Sequence, residues 1–335
     1  MGFFVFYSNF IISMKKLLFS FVLASLCIFG IAQESENALW LRYPAISPDG
    51  SKIAFTYQGD IYSVSISGGE AKRLTIHEAY ESKPVWSPDG NNIAFSSMRY
   101  GNNDVFLMAS EGEEPTRLTH HSANDVVYDF SPNGRSVIYG SSKGTRIDSV
   151  QLSSEAISEL YSISVLGGIE KQILTAPAID AQYNESGDMI IFHVRNSYGD
   201  EGGSHHTPSG DGDIWTYNFE NEKFSKLSSW RGEDRNPLWG FSNQVFFTSD
   251  KTGSFNVWRG SLTRGSLTNL KQVSFLEEHP VQSLSRADNG MLCFSYNGEI
   301  YTQLEPNQPK KVEVTIKSGS SPKRGCFLRK RRNRK

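Results

Sequence analysis

Across residues 83–119, short apolar runs alternate with polar clusters: Pro84-Val85-Trp86, Ser87-Pro88-Asp89-Gly90, Ile93-Ala94-Phe95, Asp104-Val105-Phe106-Leu107 and Arg117-Leu118-Thr119. β-Branched and aromatic runs this short, bounded by turn residues, predict strands. Ser-Pro-Asp-Gly suits a type I turn. Ser bonds the backbone ahead of it, Pro pre-sets φ, and Gly takes the left-handed position that ends the turn. It therefore joins the first strand to the second as a tight hairpin. Four strands per unit make one small antiparallel sheet per unit.

The pattern returns along the chain and fades toward its end. Unit one holds Ser47-Pro48-Asp49-Gly50, Ile53-Ala54-Phe55, Asp60-Ile61-Tyr62 and Arg73-Leu74-Thr75. Unit three holds Ser131-Pro132-Asn133-Gly134, Val137-Ile138-Tyr139 and Ile173-Leu174-Thr175. Asn184-Glu185-Ser186-Gly187 replaces the turn in unit four, Pro237-Leu238-Trp239 opens unit five, and unit six carries Asp288-Asn289-Gly290 and a last strand over residues 311–316. The turn starts at Ser47, Ser87, Ser131 and Asn184, so the spacings are 40, 44 and 53 residues. Such a period predicts a β-propeller, because a four-stranded sheet cannot bury both faces alone and must stack on its neighbours around an axis. A repeating sandwich and an open solenoid are the alternatives.

The expected architecture is all-β: a six-bladed propeller over residues 41–316, with blades at about 43–76, 83–119, 126–176, 177–228, 234–274 and 279–316. Each unit owns its four strands and none is left over for a blade begun at the other terminus. Closure is therefore expected from hydrophobic packing of blade one on blade six, without a shared sheet. That contact should be the weakest seam.

Composition adds compartment and charge. The formal net charge is -2, but nine basic residues crowd into positions 317–335 and two more, Lys15 and Lys16, precede the propeller, leaving 23 basic against 36 acidic residues. An acidic body argues against a nucleic-acid partner. Met14-Lys15-Lys16, an apolar run over residues 17–31 and Gly30-Ile31-Ala32 read as a secretory signal peptide cleaved near Ala32, with Met14 rather than Met1 as the start. Lys15 and Lys16 interrupt the rival reading of one long membrane anchor, and no stable membrane span is expected after cleavage. Leu26 is too bulky for Cys27 to be a lipoprotein site. Export to a periplasm, or secretion, follows. Of the remaining cysteines, Cys293 reads as buried in a strand and Cys326 lies in the basic tail, so no disulfide framework is expected. Residues 317–335 read as a disordered tail, out-of-frame sequence after a truncation, with a nucleic-acid arm or membrane-surface patch as the alternative.

The repeat resembles the propeller repeat shared by the TolB scaffold protein, the dipeptidyl peptidase IV group and the tricorn proteases. The six-bladed N-terminal propeller of tricorn-type proteases fits best, on three features. There are six units; the fourth carries a Gly-rich insertion from Tyr198-Gly199 to Gly212-Asp213-Ile214-Trp215; and the sixth opens with Val273-Ser274-Phe275 and His279-Pro280 and holds Glu299-Ile300-Tyr301. In that family a second propeller, a PDZ domain and a tail-protease-like core follow, and the catalytic Ser, His and Glu lie in that core. The resemblance therefore implies no catalytic residue here, peptides or downstream protease domains as partners, and homo-oligomers only through a full-length protein. It also implies a pair of arginines for a peptide carboxylate. Arg99, Arg146, Arg195 and Arg231 are isolated candidates at best, and each reads more readily as a solvated loop residue.

The chain's own chemistry is sparse. It has no Gly-x-Ser-x-Gly elbow, no phosphate loop and no Cys-x-x-Cys pair, and no cofactor is expected. His120-His121 and His205-His206 can reach one face of the ring and suggest a metal site, as in propeller lyases acting on sugar polymers. Against that, His77 and His279 in comparable loops point to a repeat-inherited structural role. Asp60, Asp104 and Asp213, each just before a third strand, recur by register and point to hydrogen-bond duty. Three functions remain: a non-catalytic, peptide-guiding propeller of a tricorn-like exported serine peptidase, a TolB-like binding scaffold, and a propeller lyase.

Overall fold

The computed structural model describes residues 36–37, 39–144, 158–195 and 212–317. The leader (residues 1–32), nearly all of the basic tail, Arg146, His205 and His206 lie outside the described residues. Every regular element described is a strand. Apart from Glu36–Asn37, Gly69–Glu70 and Val314–Ile316, they build six four-stranded antiparallel sheets, each running in sequence order from its first strand to its fourth. Blade one consists of Arg42–Ile46, Lys52–Tyr57, Asp60–Ser65 and Lys72–Arg73, and blade two of Glu81–Trp86, Asn92–Ser97, Asp104–Ala109 and Thr116–Arg117. Blade three has Asp125–Phe130, Ser136–Ser141, Glu159–Ser164 and Lys171–Leu174, and blade four Ile179–Tyr183, Met189–Arg195, Gly212–Asn218 and Lys223–Lys226. Blade five has Asp234–Trp239, Gln244–Ser249, Asn256–Thr263 and Ser266–Gln272, and blade six Gln282–Arg286, Leu292–Tyr296, Glu299–Gln303 and Lys310–Lys311. First strands of successive blades pack on one another all the way round, and that of blade six packs on that of blade one. The expected six-bladed propeller is therefore the fold.

Local chemistry builds each blade. In the first turn Ser47 Oγ donates to Asp49 Oδ1 at 2.6 Å and accepts from Lys52 N at 2.9 Å, while Gly50 takes φ 73°. Ser87, Asp89 and Gly90 repeat the arrangement, and Ser131 with Asn133 follows it. Donation by Ser47, and then by Ser51, holds the Asp49 carboxyl at about 2. The third strand is locked to the fourth by ion pairs in one register: Asp60 with Arg73 at 2.6 Å, Asp104 with Arg117 at 2.8 Å, Asp213 with Lys226 at 2.6 Å and Glu299 with Lys311 at 2.6 Å. Thr75, Thr119, Ser228 and Ser274 each accept the backbone N–H one residue beyond that third-strand position. The recurrent aspartates thus have the hydrogen-bond duty their register implied.

The apolar core is divided among the blade contacts, since six separate clusters occupy the six interfaces. Between blades one and six, Ile46, Phe55, Tyr62 and Val64 pack on Cys293, Ile300, Val312 and Val314. Burial among them pushes the Cys293 thiol up. No blade borrows a strand, so closure by packing holds. One detail differs from expectation. The outer strand of blade six is only Lys310–Lys311, and Val314–Ile316 leaves it to pair in parallel with Gly69–Glu70 of blade one. Gly69 N donates to Glu313 O at 2.8 Å and Ala71 N to Thr315 O at 2.9 Å. Val314 is buried in the seam, which draws the chain across.

Candidate functional site

The six first strands enclose an axial cavity of about 790 Å³, to which every blade contributes lining residues. Each first strand is the inner edge of its sheet, and each carries a β-bulge. A bulge leaves a residue out of the ladder and re-aims its side chain. In five blades the bulge holds a non-glycine residue in the left-handed region: Tyr43 (φ 52°), Lys83 (51°), Asp180 (49°), Asn236 (46°) and Ser283 (55°). All five line the cavity. In three blades a proline follows (Pro44, Pro84 and Pro237), which cannot donate to a ladder and suits a bulged inner edge. Blade three has Val127 at this register, and a β-branched residue resists that backbone. There the bulge falls one step later, with Val127 opposite Tyr139 and Asp129 opposite Ile138.

The ring is polar and internally connected. Asn236 Nδ2 donates to Asp180 Oδ2 at 2.6 Å, Lys83 Nζ lies 3.4 Å from Asp180 Oδ1, and His193 Nδ1 lies 3.7 Å from Oδ2. Asp180 of blade four is thus a hub that collects donors from blades two and five, with His193 of its own blade close by. Lys83 also lies 5.8 Å from the centre of the Tyr128 ring. Arg42 and Trp40 stand on the blade-one side of the cavity, the guanidinium 6.0 Å over the indole. Below the ring in blade three, Asp129 accepts from Phe130 N at 2.8 Å and Tyr183 N at 3.2 Å. Burial, offset only in part by those bonds, pushes its carboxyl up to about 7.

The arginines singled out from the sequence are elsewhere. Arg99 is an ion-pair partner of Glu81, Arg231 is exposed in the loop before blade five, and Arg195 ends the second strand of blade four opposite Gly212. His77 Nδ1 and His121 Nδ1 accept the N–H groups of Ala79 and Ala123 at 2.9 and 3.0 Å, so each closes its own interblade loop. His120 is exposed, and the His279 ring packs against Tyr296. Among the described residues no group of three or more His, Cys, Asp or Glu is placed to hold a metal ion.

The sequence pattern of the tricorn protease N-terminal beta propeller domain matches residues 38–309. Tricorn protease homolog 1 of Streptomyces coelicolor is 35% identical over 72 residues, which are 22% of this chain and 6% of that protein. The chain thus spans a small part of the curated relatives it matches. Among solved structures, the tricorn protease superposes with a TM-score of 0.69 at 20% identity, covering 85% of this chain and 27% of that one. A putative TolB from Agrobacterium tumefaciens gives 0.55 at 20% identity over 70% of this chain and 80% of its own. At these identities the superpositions show a shared fold. The match over residues 38–309, together with six blades of four strands, makes this chain a member of the tricorn protease N-terminal beta propeller family.

Proposed function

We propose that the chain is the non-catalytic N-terminal propeller of an exported tricorn-like serine peptidase, and that its axial channel guides extended peptides. The observation that carries this reading is the cavity of about 790 Å³ bounded by first strands from all six blades. Strands of five or six residues make walls about 17–20 Å long, enough to hold roughly five or six residues of an extended chain. A folded domain is far wider than such a passage. The polar, bulged inner edges supply hydrogen-bonding groups to a peptide backbone. Hydrolysis is assigned to no residue of this chain. The basic and apolar pattern of residues 14–32 supports export.

The test is fluorescence anisotropy of a labelled, unstructured octapeptide with the whole chain and with Ser283→Trp. Tyr43 shows that the ring backbone accepts a large aromatic side chain at this register, so the variant should fold and fill the channel. Loss of binding in the variant is expected. Unchanged binding would move the peptide to an outer face and the reading to a TolB-like scaffold.

A further inference from the structure

The charge of the channel is opposite to that of the body. Apart from positions 317–335 and the two leader lysines, the chain has 23 basic and 36 acidic residues. The cavity lining instead includes Arg42, Lys83 and Arg235 against the single carboxylate of Asp180. A cleft with low-dielectric walls focuses such an excess on whatever enters it. Arg235 is engaged by Glu233 and stacks 4.6 Å over Phe255, so the cations facing a ligand are Arg42 and Lys83.

The contacts of Lys83 are those of a group that can change partner. Its 3.4 Å approach to Asp180 is long, and the two side chains retain 31% and 25% of their exposure. Exposed pairs of this kind bias an equilibrium by no more than about fivefold. Asp180 keeps Asn236 at 2.6 Å when Lys83 leaves, so no carboxylate is stranded. The left-handed backbone at Lys83 fixes the root of the side chain at the axis, and the four-carbon stem of a lysine is flexible.

We propose that the channel selects acidic peptides, with Lys83 exchanging Asp180 for a glutamate or aspartate side chain of the ligand and Arg42 taking a second. This rests on the peptide-channel reading above. Alternate side chains of an extended peptide face the same side, so a strictly alternating acidic sequence presents a row of carboxylates to one wall.

The experiment uses the whole chain and labelled octapeptides, blocked at both ends, that alternate alanine with glutamate, glutamine or lysine. The glutamate peptide should bind at least about tenfold more tightly than the glutamine one, and the lysine peptide most weakly. Lys83→Met should remove about three- to fivefold of the glutamate peptide's affinity at low ionic strength and none of the glutamine peptide's, and Lys83→Arg should restore it. An unchanged glutamate affinity in Lys83→Met overturns the proposal. If all three peptides bind alike and Ser283→Trp blocks them, the charge selection is wrong while the channel reading stands. If Ser283→Trp blocks none, both fall.

Discussion

Arg99 Nε donates to Glu81 Oε1 at 2.8 Å with 9% and 0% of the two side chains exposed, which makes this pair the most deeply enclosed full-strength ion pair of blade two. Glu81 opens the first strand and Arg99 follows the second, so the contact ties the inner edge of the blade to its neighbour. Asp234 and Lys251 do the same in blade five at 2.7 Å, and Lys143 stands 3.8 Å from Asp125 in blade three. Each cation also lies over aromatic rings: Arg99 over Phe106, Lys143 over Tyr139 and Tyr161, Lys251 over Phe247.

Breaking a buried pair leaves one charge without compensation, whereas removing both charges does not. Arg99→Met should therefore cost about 3 kcal/mol or more. The double variant Glu81→Gln/Arg99→Met should recover most of that loss. Urea denaturation of the three proteins checks it. Additive losses would mean that the pair does not act as a unit.

The seam between blades one and six supplies a second prediction. Gly68 and Gly90 both sit in the left-handed region, at φ 84° and 72°, so alanine at either bears about 1–2 kcal/mol of backbone strain. Their surroundings differ. A Cβ at Gly90 would find nothing nearer than Pro48 Cδ at 4.0 Å, whereas one at Gly68 would lie 2.5 Å from the Glu313 carbonyl oxygen. Gly68→Ala must push away the strand Val314–Ile316 and should lose clearly more stability than Gly90→Ala. Hydrogen exchange should show faster exchange at Gly69 and Ala71 in the first variant alone.

Asp129 gives the pH dependence. Its side chain is not wholly sealed, yet enough protein surrounds it that desolvation dominates and lifts it from 3.8 to about 7. Between those values the folded chain holds a proton that the unfolded chain has released, so stability must fall as pH rises through this window. The contribution is complete below about pH 3.8 and gone above about pH 7. One proton can give a slope of at most about 1.4 kcal/mol per pH unit. Asp129→Asn should abolish this slope, while losing some stability at low pH because an amide oxygen can serve only one of the two backbone N–H groups that Asp129 accepts. Urea midpoints measured across this window provide the comparison.

What could be read from the chain beforehand was whatever acts over a few residues or repeats in register. Ser87, Asp89 and Gly90 announce their turn because their bonds are to one another, and Asp60, Asp104 and Asp213 show their duty by returning at the same step of each blade. The destination of Val314 was hidden, because a buried valine two residues past a strand pattern does not say which sheet it joins. The axial ring was hidden too. Lys83, Asp180 and Asn236 are ordinary polar residues in strand sequences, and nothing local marks a non-glycine residue for a positive φ. The prolines after Tyr43, Lys83 and Asn236 were the one available sign of a bulged edge. Arg99 shows the same limit: a charge is placed by the fold around it, and Glu81 engages this one.

The ring itself is the last point open to measurement. Five side chains sit on backbone that L-residues other than glycine adopt at a cost of about 1–2 kcal/mol each, and such strain persists only where the surroundings over-determine it. If the bulge imposes the conformation, the residue at that register must tolerate it or the bulge must move, as it has beside Val127 in blade three. Ser283 allows both directions to be tested, since it is half-buried. Ser283→Gly should gain up to about 1 kcal/mol by releasing the strain, less what the more flexible unfolded chain takes back. Ser283→Val should lose about 2 kcal/mol or more, because a second branch at Cβ meets the backbone in this region. Thermal unfolding gives the order Gly, Ser, Val if the strain is real. Equal stabilities for the three would mean that the first strand of blade six relaxes freely, and that the ring residues are aimed at the axis by something other than the bulge.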